Sequence, residues 1–325
     1  MSKKLNKSIL AKILEIIPEN IKPVNLFMDI LDLGKESAYR RLRGEKALSL
    51  EEIHKLSSEL DFSLDEILDN KRTNTFDFNY IGFSGDSPEN NILEFLLSYE
   101  KSLTLMLNAE KTEVTCTMNH FFNTMLVGFE ELFKFTYYRW MHQMKEVPLN
   151  YLFANVIIPP DIKNVCNRIH HLQQQIQKVT LIIDKSMYLN LIKEMQYFYV
   201  RELLSESELI WLKKQCIHYM DYTEKIVKKG SNNKGNVFEI YLSMLNISCN
   251  TSYTVWDDNA ESGFWYNLSY PMLTQNKKIL DGHKHWIDSL KKYSTLITQS
   301  NELLQADYFN EQRGYIKNIS DNILL

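Results

Sequence analysis

Apolar residues in the first seventy positions recur every three or four residues, which is the period of amphipathic helices. The pattern predicts a first helix over Ser8–Ile17, and Pro18 disfavours its continuation. Pro23 suits the first turn of a second helix, because its missing N–H costs nothing there. That second helix is predicted to end near Asp32.

A third helix is predicted over residues 35–43, and its two faces differ sharply. Ala38 and Leu42 lie four residues apart and share one face, whereas Glu36 and Arg40 point the opposite way. The apolar face is too narrow for a buried helix. The charged face is therefore expected to meet water or a partner.

Two further helices have clear starting signals. Ser49 with Glu52, and Ser63 with Glu66, both fit the S-x-x-E capping box, in which side chain and backbone satisfy each other's hydrogen bonds. Gly44 supplies the C-terminal cap of the third helix. Five short helices in about seventy residues predict a compact bundle.

The remaining 250 or so residues are also mostly helical in pattern, with a few alternating segments. Helices are predicted over Asn90–Asn108, Phe121–Lys145, from Asp161 onward, Ser186–Arg201, Ser205–Lys229, Gln275–Leu304 and Asp307–Ile319. Strands are predicted over Glu113–Met118, Val237–Asn250, Ser252–Asp257 and Phe264–Leu268.

Composition narrows the class of protein. The chain has 325 residues, 44% of them hydrophobic and 24% charged, and a formal net charge of −4, which is typical of a globular protein. No apolar run approaches the roughly 18 residues of a membrane span, and no cleavable leader is evident. The four cysteines are widely spaced, which favours reduced thiols and a cytoplasmic location.

A family resemblance rests on the order of these features. Residues 40–68, RRLRGEKALSLEEIHKLSSELDFSLDEIL, follow an apolar helix, a turn before Gly34, and a helix with Ala38 and Leu42 inward. The segment from about residue 5 to 70 resembles the helix-turn-helix domain of the Cro and phage-repressor class, the XRE family. Asp32 stands where the family usually has glycine in the turn, and Arg41 where an apolar residue is common. Asp tolerates a left-handed conformation, and Arg41 can lay its stem over the core.

The resemblance implies a DNA-reading role for the third helix, which in that family lies in the major groove. Lys35, Glu36 and Arg40 are the implied base-reading residues, since Arg pairs with guanine edges and Glu accepts from cytosine. The residues implied to contact the DNA backbone or flanks are Lys22, Asn25, Ser37, Tyr39, Arg43 and Lys46.

The expected fold class is mainly α, in two domains. The first, residues 1–72, is a five-helix helix-turn-helix bundle, and residues 73–88 form a linker. The second, residues 89–325, is expected to be a helix-rich α+β domain with a small antiparallel sheet, used for dimerisation or sensing.

Catalytic and metal-binding chemistry has little support in the sequence. No GxGxxG, P-loop, HExxH or GxSxG motif occurs, so no catalytic residue and no cofactor is assigned. His283 and His285 form an HxH pair without an assignable third ligand, and a solvent-facing helix start explains them better than a metal site. Trp256, Trp265, Tyr266 and Tyr137 could line a ligand pocket, although core packing explains the same residues more cheaply.

The sequence thus predicts a DNA-binding transcriptional regulator. Its expected partners are double-stranded DNA, a second copy of the chain in a homodimer, and a small-molecule or protein effector, without a membrane. Two alternatives stay open: a helix-turn-helix fold that binds only protein, and an enzyme activity in the larger domain. Metal convergence of His283, His285 and a carboxylate would favour the enzyme.

Overall fold

The computed structural model describes residues 3–17, 21–60, 62, 78–80, 88–144, 147–267 and 270–319. The chain separates into two compact units, Met1–Phe76 and Asp77–Leu325, called here the N-terminal and C-terminal units. The predicted capping box of Ser63 and Glu66, its helix, and nearly all of the expected linker 73–88 lie outside the described residues.

Four helices make up the described part of the N-terminal unit. They are α1 (Lys3–Ile16), α2 (Pro23–Leu31), α3 (Lys35–Leu42) and α4 (Leu50–Leu60). The first helix begins before the predicted Ser8, and the start at Pro23 is confirmed. The capping box before α4 is present, with the Glu52 backbone N–H donating to Ser49 Oγ at 3.1 Å and the Ser49 N–H donating to Glu52 Oε2 at 2.9 Å.

The N-terminal unit has a core of its own, and one polar contact orients its first helix. Ile13, Phe27 and Leu56 have no exposed surface, which is the arrangement that the helical spacing of their apolar residues dictates. Asn6 is buried and its Oδ1 accepts a hydrogen bond from the Leu48 N–H at 3.1 Å. This bond fixes α1 against the segment that leads into α4.

Seven helices belong to the described part of the C-terminal unit. They are α5 (Pro88–Leu107), α6 (Glu130–Met144), α7 (Pro160–Gln173), α8 (Met187–Val200), α9 (Glu206–Lys229), α10 (Lys277–Lys292) and α11 (Glu302–Lys317). The helix predicted from Phe121 begins only at Glu130, because residues 121–129 form a 3-10 turn and bends whose phenylalanines pack into the core. The helix predicted over Gln275–Leu304 is interrupted by a short strand.

Among the residues that the structure describes, eight strands form one sheet in this unit. They are β1 (Asn79–Tyr80), β2 (Thr112–Met118), β3 (Lys178–Asp184), β4 (Val237–Ser243), β5 (Thr251–Trp256), β6 (Asn259–Trp265), β7 (Pro271–Thr274) and β8 (Ser294–Leu296). Their order across the sheet is β1-β7-β6-β5-β2-β3-β4-β8.

The expectation of a mainly α fold with a small antiparallel sheet is wrong. Strands β2, β3 and β4 pair in parallel at the centre, and the other strands extend them antiparallel on both sides, so the unit is α/β with a mixed sheet. Helices α6 and α7 cross from β2 to β3, and α8 and α9 cross from β3 to β4. Parallel neighbours require such crossovers. The segment KVTLIID was not predicted as a strand because it is buried on both faces and so shows no alternation.

Helices cover both faces of this sheet. Val179 and Leu181 of β3 belong to the large core that includes residues of α5, α7 and α9. Ile182, the residue after Leu181, faces the opposite side of the sheet and packs with Ile287 and Leu290 of α10. Alternate residues of a strand point to opposite faces, so this central strand is enclosed by helices on each side.

His283 ties α10 to the sheet, and its predicted solvent-facing position is wrong. The ring is 6% exposed, with Nδ1 2.8 Å from Ser262 Oγ and Nε2 2.9 Å from Thr251 Oγ1. Burial lowers the pKa of His283 to about 4, so the imidazole is neutral at ordinary pH. His285, two residues along the same helix, is exposed.

The cysteines form no disulfide bonds, as their wide spacing predicted. All four cysteines are free thiols, with Cys166 and Cys216 buried. Among the helices that the structure describes, none combines the length and the apolar content needed to cross a bilayer. Within the same residues, no three His, Cys, Asp or Glu side chains are arranged to hold a metal ion.

Candidate nucleic-acid interface

The turn between α2 and α3 sets the direction of the basic helix. Asp32 has φ 51° and ψ 55°, which is the left-handed conformation, and its N–H donates to the Met28 carbonyl. Asp is one of the few residues that adopt this conformation at low cost. The turn that glycine would make is therefore made by Asp32, and α3 begins three residues later.

Helix α3 presents most of its side chains to solvent. Ala38 is fully buried and Arg41 is 5% exposed, whereas the three residues assigned to base reading, Lys35, Glu36 and Arg40, are all exposed. The residues assigned to the DNA backbone or flanks are exposed as well: Lys22, Asn25, Ser37, Tyr39, Arg43 and Lys46. The whole predicted set is therefore exposed, at the beginning of α2, on α3 and on the segment after α3.

Arg41 anchors α3 to α4, which sequence reasoning did not anticipate. Its Nε lies 2.9 Å from Glu52 Oε1, and its Nη1 donates to the Ser37 carbonyl at 3.2 Å. The sequence predicted that the Arg41 stem would lie over the core and bring the guanidinium to solvent. Instead, the guanidinium pairs with a carboxylate that is itself largely buried. Burial raises the pKa of Glu52, but hydrogen bonds from Arg41 and the Ser49 N–H outweigh that effect and hold it below its usual range.

Two glutamates partly neutralise the exposed arginines. Arg43 Nε lies 2.8 Å from Glu45 Oε1, and Arg43 Nη2 lies 3.6 Å from Glu36 Oε1. Arg40 Nε is 3.9 Å from Glu45 Oε2. The hydrogen bond with Glu45 raises the pKa of Arg43 further. A phosphate that binds here would therefore compete with Glu45 for these guanidinium groups.

No protein-family model, curated protein or solved structure matches this chain. Exposed Lys and Arg side chains offer hydrogen-bond donors and charge to phosphate, and the arginine fork also fits the guanine edge. The acidic residues interleaved with them reduce the net positive charge of this part of the N-terminal unit.

Replacing Glu45 with glutamine is expected to strengthen binding to duplex DNA of random sequence. The change frees Arg40 and Arg43 from a competing carboxylate, which is worth roughly two- to fivefold at low salt. Fluorescence anisotropy of a labelled duplex measures the effect, which should shrink as salt screens the charges. Glu51→Gln is the matched control, because Glu51 is exposed but pairs with Lys55 on α4. Equal gains in both variants would show that the site is not local.

A cavity of about 220 Å³ is the second feature that could bind a ligand, and it lies within the C-terminal unit. It lies between the sheet and helices α5, α7 and α9 and is partly open to solvent. Of the four aromatic residues proposed for a pocket, only Trp265 lines it; Tyr137 is buried in the core elsewhere and Tyr266 is exposed. Sequence reasoning missed Tyr99 and Gln173, whose helices bring them together only in the folded unit.

Proposed function

We propose that this protein is a sequence-specific DNA-binding transcriptional regulator that uses α3 as its reading helix. The observation that carries the proposal is the outward face of α3, where Lys35, Glu36 and Arg40 are exposed while Ala38 and Arg41 hold the helix onto the bundle. A helix whose inner face is anchored to the bundle and whose outer face is polar can enter the major groove in a fixed orientation.

The mechanism requires no catalysis. Lys and Arg side chains release counterions from the phosphates, and the base edges are read by Arg40, Glu36 and Lys35. Tyr39, Arg43 and Lys46, with Lys22 and Asn25 from the beginning of α2, hold the DNA backbone. Phosphate contacts set the position of the helix, and the three reading residues set the sequence preference.

The proposed active form is a homodimer that works in the cytoplasm. Two copies would place their reading helices about 34 Å apart on successive major grooves, so that modest affinities multiply. The C-terminal unit would pair the two copies, sense an effector, or do both. The free thiols are consistent with a reducing compartment.

The experiment that tests the proposal is selection of bound duplexes from a random DNA pool with the full chain. A palindromic consensus with half-sites about one helical turn apart is the expected result. Recovery of no enriched sequence after repeated rounds would contradict the proposal.

Arg40→Ala tests the assigned reading residue. We expect the selected site to be bound about 10- to 100-fold more weakly, with relaxed preference at one base position, because the bidentate contact with guanine is lost. Lys55→Ala, which removes an exposed positive charge on α4, is the matched control and should change binding little. Unchanged binding by the Arg40 variant would remove Arg40 from the reading set.

A second candidate function is recognition of another protein by the same surface. The pairing of Arg40 and Arg43 with Glu45 favours it, because a mixed-charge surface suits a protein partner better than a polyanion. Salt dependence distinguishes the two functions. DNA binding should weaken steeply as salt rises, because counterions are released from the phosphates, whereas a protein partner on this mixed-charge surface should show a much smaller salt dependence.

A further inference from the structure

The cavity in the C-terminal unit lies against a central strand of the sheet, where side chains are normally closely packed. Val114 and Cys116 project from β2, a strand with neighbours on both sides, yet both residues keep accessible surface because they face the cavity. Protein interiors are packed as closely as organic crystals, and an unfilled volume loses contacts on every side. A volume of about 220 Å³ beside a central strand is large enough to hold a small molecule.

The walls of the cavity are mainly apolar, and eight of the thirty residues that line it are Phe, Tyr or Trp. Rings come from several elements, including Phe95 and Tyr99 of α5, Tyr222 of α9 and Trp265 of β6. Aromatic rings prefer edge-to-face and offset contacts with other rings, which favours a flat aromatic ligand. An apolar cavity of about 150 Å³ is enough to hold benzene, so the larger volume here suits a bicyclic molecule.

About a third of the residues that line the cavity are polar, and two of them form a hydrogen-bonded pair. Gln173 Nε2 donates both to the Tyr99 hydroxyl at 3.2 Å and to the Thr124 carbonyl at 3.0 Å. Tyr99 accepts from Gln173, so its own proton can be donated to a ligand oxygen. The Tyr99 and Gln173 pair is thus a fixed polar position beside the apolar part of the lining, where a ligand hydroxyl can be bound.

Charge excludes an anionic ligand. None of the described residues that line the cavity is Lys or Arg, and burial lowers the pKa of His170, which keeps it neutral. Among the same residues Glu261 is the one acidic side chain, and burial raises its pKa against a hydrogen bond from Gln275. A carboxylate or phosphate ligand would therefore lose its water without gaining a positive partner.

We propose that this cavity binds a neutral bicyclic aromatic molecule with one hydroxyl group, held by ring contacts and by a hydrogen bond with Tyr99. The ligand's role as an effector rests on the proposed DNA-binding function, but its binding does not. The binding site lies wholly within the C-terminal unit and is measured without DNA.

Isothermal titration of the full chain with 2-naphthol tests the proposal, with 2-naphthoate as the charged counterpart of the same ring system. We expect saturable one-to-one binding of 2-naphthol with a Kd on the order of 10 µM, and binding of 2-naphthoate at least about tenfold weaker. No saturation by about 1 mM 2-naphthol, or equal affinity for the two compounds, would overturn the proposal.

Two substitutions locate the binding. Val114→Phe fills the cavity and should weaken 2-naphthol binding by at least about tenfold. Tyr99→Phe should weaken it about fivefold, because one hydrogen bond is lost. Tyr315→Phe is the matched control, since its hydroxyl bonds Glu311 on the surface, and it should bind as the wild type does.

Each outcome decides the proposal. If Val114→Phe folds, as judged by tryptophan fluorescence, and still binds at wild-type affinity, the cavity is not the site. If it does not fold, the comparison of Tyr99→Phe with Tyr315→Phe decides, and equal affinities overturn the proposal. Failure of the random-pool selection with 2-naphthol binding intact would remove the DNA-binding function alone. The reverse result would remove this inference alone.

Discussion

Replacing Arg41 with methionine is expected to destabilise the N-terminal unit by about 3 kcal/mol. Removing one member of a buried ion pair typically costs about 3–5 kcal/mol, because the other charge loses its partner. Glu52 keeps its bond from the Ser49 N–H, and its side chain is 17% exposed, so the lower end of that range applies. A unit of this size has only about 4–11 kcal/mol in total.

Hydrogen exchange on the full chain measures this effect, because the backbone amide of Ile53 bonds the Ser49 carbonyl in the first turn of α4. We expect exchange there to be roughly 100-fold faster in the variant. Tryptophan fluorescence should be unchanged, since all five tryptophans lie in the C-terminal unit. Arg43→Met is the matched control. Arg43 is half exposed and its ion pairs are on the surface, so we expect its replacement to speed exchange at Ile53 by less than about fivefold.

The sign of the pH dependence gives a second check on this pair. Because the folded-state pKa of Glu52 is lowered, its contribution is present above the unfolded value and is lost as pH falls through the folded one. The difference in stability between wild type and Arg41→Met should therefore narrow below about pH 4. A difference that stays constant at low pH would show that packing of the Arg41 stem, and not the charge pair, provides the stability.

The stability of the C-terminal unit is expected to fall as the pH is lowered from about 6.5 to about 4, with His283 as a major cause. The unfolded chain takes up a proton at His283 below about pH 6.5, whereas burial keeps the folded ring neutral down to a pKa of about 4. The free energy of unfolding therefore falls progressively between these two pH values, and His283 lowers it no further below about pH 4. A shift of this size corresponds to about 3 kcal/mol at most.

Urea unfolding followed by tryptophan fluorescence at several pH values measures that slope. His283→Asn should lower stability at neutral pH, since hydrogen bonds with Ser262 and Thr251 are disturbed, and should also flatten the slope. Burial lowers the pKa of His120, His142 and His170 as well, so only the difference between variants isolates His283. His285→Asn, an exposed neighbour, should keep the full slope. A slope that survives in the His283 variant would assign the acid sensitivity elsewhere.

The amino-acid sequence by itself determined the helices of the N-terminal unit and the face that α3 presents. The start of α2 at Pro23, the left-handed residue at Asp32 and the capping box of Ser49 depend on neighbours within about four residues, so local chemistry specifies them. For the same reason Ala38 is buried while Arg40 is exposed: helical periodicity fixes both.

Only the tertiary structure decided the central sheet, the cavity and the partners of buried polar groups. Strand β3 pairs with residues more than fifty positions away on both sides, and a strand buried on both faces leaves no alternating pattern to predict it. Arg41 finds Glu52, and His283 finds Thr251 and Ser262, across separate elements. These contacts depend on how distant segments pack, which short-range periodicity does not encode.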